Sequence, residues 1–89
     1  MNNVDWTTVA YKNGEETVLL LLQEECAELI QAISKYRRYA NTIAWEAVIE
    51  ELADVEIMLY QIKTLWKCAT DDIAEINAEK LKRTIERCY

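Results

Sequence analysis

Histidine, proline and phenylalanine do not occur in this 89-residue chain, and glycine occurs once, at Gly14. Without histidine there is no Cys/His zinc site, no Ser–His or Cys–His nucleophile, and no Glu-x-x-His motif of the kind that di-iron helical bundles need. One glycine cannot supply a phosphate-cradling loop of the G-x-x-x-x-G-K-[ST] type, so P-loop transfer of a γ-phosphate lacks its parts. The same shortage removes the turn chemistry of hairpins, while Ala, Leu, Ile, Glu and Lys favour helix. The expected fold class is all-α.

Other absences narrow the setting. The three cysteines, Cys26, Cys68 and Cys88, are an odd number without a C-x-x-C pair, which predicts reduced, mostly buried thiols. No basic region precedes an apolar run at the N-terminus, and the strongly apolar stretch Val18 to Leu22 is far too short for a bilayer or a signal sequence. A cytoplasmic protein without a membrane partner is expected. With 16 acidic and 10 basic residues, the net charge of -6 argues against a nucleic-acid partner.

Apolar periodicity predicts three main helices in one domain spanning 1–89, with an N-terminal segment, 1–13, in which Trp6, Val9 and Ala10 can form a helical turn. Asn13 followed by Glu16 resembles a capping box and predicts the start of the first long helix. Val18, Leu22, Cys26, Leu29, Ile33 and Tyr36 form its packed face, and Lys35, Arg37 and Arg38 suit its negative end. Asn41 or Thr42 caps the second helix, striped by Val48, Leu52, Val55, Leu59, Ile62 and Trp66. Thr70, Asp71 and Asp72 start the third, with Ile73, Ile76, Leu81, Ile85 and Cys88 inward and Asn77 near the middle of that face. Lys80, Arg83 and Arg87 line one of its edges.

Two acidic motifs interrupt the apolar pattern: Glu24-Glu25-x-x-Glu28 and Glu51-x-x-Asp54. Glu25 and Glu28 lie one turn apart, as do Glu51 and Asp54, each pair at the edge of an apolar arc. Two antiparallel helices would gather these four carboxylates, which repel one another unless cations sit between them. All-oxygen ligands suit hard divalent ions, Mg2+ above all. Five of the 16 acids fall in the motifs, leaving 11 against 10 bases, so the negative excess has an address.

The pattern E-E-x-x-E, a spacer from Leu29 to Glu50, then E-x-x-D, resembles the MazG-like all-α nucleoside triphosphate pyrophosphohydrolases. The resemblance covers the two long helices and, more loosely, the third, where Lys80 and Arg83 match a downstream K-x-x-R. It implies Mg2+-dependent (or Mn2+-dependent) hydrolysis of a nucleoside triphosphate between its α and β phosphates. By position, Glu25, Glu28, Glu51 and Asp54 would be metal ligands, Glu24 would join Glu25 as a catalytic acid that orients water, and Lys80 and Arg83 would bind substrate phosphate. Asn77 is a further candidate substrate contact or part of a buried polar network, and Tyr36 and Tyr39 are the nearest candidates for touching a base. A phosphoribosyl-ATP pyrophosphohydrolase or a silent helical interaction module are the alternatives. Because so short a chain buries only about 60 to 65% of its unfolded surface, a homodimer or homotetramer is expected to complete the bundle.

Overall fold

The computed structural model describes residues 4–89, and these form four α-helices and one 3-10 turn without a strand. Helix α1 is Trp6–Asn13, α2 is Glu15–Tyr39, α3 is Thr42–Leu65 and α4 is Thr70–Cys88, with the 3-10 turn at Lys67–Ala69 between the last two. The all-α reading stands, and the expected N-terminal turn is a full helix. Residues 1–3 of the expected N-terminal segment lie outside the described residues.

α1 forms although Thr7, Thr8 and Val9 are poor helix formers. The Asp5 carboxylate caps it, accepting from Thr8 N at 2.9 Å and Thr8 Oγ1 at 3.2 Å, and Ala10 is fully buried where α1 docks on α3 and α2. A 2.7 Å hydrogen bond between the Thr7 and Tyr60 hydroxyls ties the two surfaces together. Asn13 does not cap α2, as the capping-box reading had it. It ends α1, and Gly14 makes the turn with φ 81°, its N–H donating to Ala10 O at 2.9 Å. An L side chain rarely adopts that φ, which explains the use of the chain's one glycine.

α2 and α3 form an antiparallel hairpin. Ala40 closes α2 in the left-handed region, φ 47° and ψ 38°, and the Asn41 side chain then caps α3 by accepting from Ala44 N at 2.8 Å. Val18 of α2 and Met58 and Ile62 of α3 make the core, with Leu21, Leu22, Ile57 and Leu65 packed around them. Ala32, Ala44 and Val48 are buried toward the hairpin connection.

Several expected core positions are exposed. Ile33 and Tyr36 of α2, Leu52 and Leu59 of α3, and Trp66 just after α3 are all exposed. α4 buries none of its side chains: Ile73, Ile76, Leu81, Ile85 and Cys88 are all exposed, because the helix packs on the 3-10 turn and projects from the hairpin. Thr70 is its first residue, with no side-chain cap. Cys26 and Cys68 are exposed as well, so the expectation of buried thiols is corrected: all three are free and open to solvent. The projection shows in the radius of gyration, 16.4 Å, against about 12 Å for a compact domain of this length.

Candidate metal centre

The seam between α2 and α3 carries its acids in the midst of its packing residues. Along α2, Val18, Leu21 and Leu22 lead one turn later to Glu25, then Glu28 and Leu29, then Ala32. Along α3, Val48 leads to Glu51, Asp54 and Val55, then Met58. Glu25 and Glu51 therefore sit half-buried where the two helices meet, while Glu28 stands exposed at the edge of that face.

Glu25, Glu28 and Glu51 each bring a carboxylate oxygen to within 4.8 Å of the others. Glu25 and Glu51 are half-buried and Glu28 is exposed, giving the cluster an open side. Half-buried Asp54 stands one turn beyond Glu51 and shares with Glu25 the wall of an adjoining cavity. Glu24 is exposed and lies outside the three-carboxylate cluster.

Electrostatics mark the cluster as incomplete in the protein alone. Loss of water, the contact with Glu51, and the charges of Glu28 and Asp54 push the Glu25 carboxyl up to about 7. Glu51 is raised by the same loss of water and by Glu28 and Asp54, while its contact with Glu25 pulls it back. The Oε2 atoms of both residues are buried without a hydrogen-bond partner, which a packed helical seam would not tolerate for charged oxygens.

A divalent cation answers each of these features. The donors are all carboxylate oxygens, two of them lack partners, and the charges repel. The three oxygens lie within 4.8 Å of one another, so Glu25, Glu28 and Glu51 could together hold one divalent cation. The residues fit a divalent cation.

The remaining sequence candidates lie elsewhere in the chain. Asn77, Lys80 and Arg83 are exposed on α4, where Lys80 and Arg83 line a separate cationic recess with Thr84 and Arg87. Tyr36 packs against Trp45 with ring centroids 5.5 Å apart, and Tyr39 is exposed at the end of α2. The cavity beside Glu25 and Asp54 is instead lined by Trp6, Asn13, Met58 and Gln61. Sequence reading passed over Gln61, though one amide in the run Met58, Ile62, Leu65 was a visible irregularity.

Among the described residues no helix is long and apolar enough to cross a membrane. Neither the curated proteins nor the solved structures gave a match. The family model described as the MazG nucleotide pyrophosphohydrolase domain matches residues 13–88, which takes in both acidic motifs, the hairpin that joins them and α4. By that match the chain belongs to the MazG nucleotide pyrophosphohydrolase family.

Proposed function

We propose that this protein hydrolyses a nucleoside triphosphate at the α,β phosphoanhydride bond, dependent on Mg2+ or Mn2+, to give a nucleoside monophosphate and pyrophosphate. The observation that carries the reading is the meeting of Glu25, Glu28 and Glu51 from two helices, with orphaned oxygens, inside the region matched to the family. Glu25, Glu28, Glu51 and Asp54 hold the cation, which when bound neutralises phosphate charge and makes water acidic enough to serve as a nucleophile near neutral pH. Glu25 and Glu51 face one another across the seam and fix the spacing of the site. Glu24, exposed on the adjacent face of α2, orients the attacking water. Asn77, Lys80 and Arg83 bind the polyphosphate and favour departure of pyrophosphate.

Those α4 groups need a second copy of the chain. α4 packs on the 3-10 turn and leaves Ile73, Ile76, Leu81 and Ile85 uncovered. Leu52 and Leu59 of α3 and the adjoining Trp66 are uncovered too, so a homodimer or homotetramer buries both surfaces and brings α4 of one copy toward the carboxylates of another. The chain acts as one catalytic domain in the cytoplasm, and its acidic balance gives it no footprint for nucleic acid.

The test is incubation with Mg2+ and a panel of ribo- and deoxyribonucleoside triphosphates, with nucleotide and phosphate products quantified. Monophosphate and pyrophosphate should appear in equal amounts. Diphosphate with orthophosphate would refute the bond assignment, turnover confined to phosphoribosyl-ATP would reassign the substrate, and no turnover by a folded oligomer would favour an interaction module.

A further inference from the structure

Beyond the carboxylates, the seam holds a feature that catalysis at phosphorus does not use. Gln61 is 2% exposed, and its Oε1 has no hydrogen-bond partner among the described residues. Its Nε2 is turned onto Met58 Sδ at 3.6 Å, which leaves the oxygen as the uncommitted end of the amide. A Leu or Met would fill this position in an apolar seam without stranding a polar atom, since a buried acceptor with no donor is a standing cost to the fold.

Gln61 is among the residues that line the cavity of about 240 Å3, together with Glu25 and Asp54. Asp54, Met58 and Gln61 follow one another at steps of four and three, so they lie along one side of α3. Seven residues of helix place Gln61 about 10 Å along the axis from Asp54. A nucleotide with its α-phosphate at the carboxylates and its sugar along this side of α3 would bring its base toward Gln61. There Trp6 and Met58 offer a flat ring and a polarisable sulfur as walls.

We propose that the Gln61 side chain turns its Oε1, closed off from solvent in this structure, into the cavity and accepts a hydrogen bond from the amino group of the substrate's base, so that the enzyme prefers cytosine or adenine nucleotides to their keto counterparts, uracil or hypoxanthine. A keto oxygen at the same point meets Oε1 acceptor to acceptor. Matching it requires the amide to turn over, which takes Nε2 from Met58 Sδ and sets two acceptors together. The proposal rests on the nucleotide-hydrolase reading of the same site.

Two measurements keep their failures apart. Calorimetric binding of non-hydrolysable α,β-imido analogues of CTP, UTP, ATP and ITP, with Mg2+, reads recognition; kcat/KM for the four natural nucleotides reads turnover. The amino member of at least one pair should win by about tenfold or more in both. Gln61→Met should bring that ratio close to one, while Mg2+ still raises the variant's melting temperature as it does the parent's. Equal binding of amino and keto analogues by the parent, a keto preference, or an unchanged ratio in Gln61→Met would overturn the role of Gln61 and leave hydrolysis standing. Selective binding without turnover would sink hydrolysis and keep Gln61, and binding of none of the analogues would sink both. The parent ratios decide the matter even if the variant does not fold.

Discussion

Replacing Glu25 by Gln removes one charge from the acidic seam at nearly constant shape, and the consequence for stability can be worked out with its sign. In the unfolded chain the carboxyl titrates near its ordinary 4.5, and in the fold it is pushed up to about 7, first by loss of water. Between those values the folded state keeps a proton that the unfolded state has lost. Stability therefore falls as pH rises through the window, and the whole loss is present above about 7. Without screening, the displacement would cost ~3 kcal/mol; the cluster is open on its Glu28 side, and solvent reduces this to ~1 kcal/mol. Glu25→Gln should escape that cost. In chelator at about pH 8 the variant should melt about 4–8 °C above the parent, and near pH 4 the two should coincide. Asp5, held below its usual range by the Thr8 N–H, loses stability on acidification, but it does so equally in both proteins. Saturating Mg2+ should reverse the order, because ion at 100 times its Kd adds about 2.7 kcal/mol to the parent and far less to the variant. That gain should shrink below pH 7 as protons compete for the ligands. Thermal melts across pH, with chelator and with Mg2+, check each step. A parent that is stabilised between pH 5 and 8 in chelator, or a variant with the parent's Mg2+ response, would refute the reasoning.

The other expectations are simpler. Glu28→Gln, Glu51→Gln and Asp54→Asn should each lower pyrophosphate release by at least about 100-fold while the helical circular dichroism persists. Ile62→Ala, at a side chain 4% exposed beside Val18 and Met58, should cost about 3 kcal/mol in urea unfolding. Ala40→Gly should gain about 1 kcal/mol, since φ 47° strains a Cβ; no gain would mean that the turn relaxes in solution. Leu81→Glu, on the uncovered face of α4, should shift sedimentation toward monomer, and an unchanged oligomer would place the interface elsewhere.

The fold class and the acidic pairs were legible in the sequence because both depend on local rules. The shortage of glycine and proline left helix as the economical structure, and a spacing of three residues puts Glu25 with Glu28, and Glu51 with Asp54, on one side of any helix that contains them. Asn41 also read correctly as a cap, for the same local reason. What the sequence could not decide was which apolar stripe meets which. α3 is apolar around most of its circumference, and only the docking of α1 and α2 chose the face bearing Val48, Glu51, Met58 and Ile62 over the one bearing Leu52 and Leu59. That choice half-buried Glu25 and Glu51 where α2 and α3 meet, and loss of water there raises Glu25. It also buried Gln61, whose isolation depends on three helices at once. α4 shows the converse: its periodicity is clear, yet amphipathicity states only that a face prefers to be covered, and within this chain the 3-10 turn carries that face away from any neighbour that could cover it.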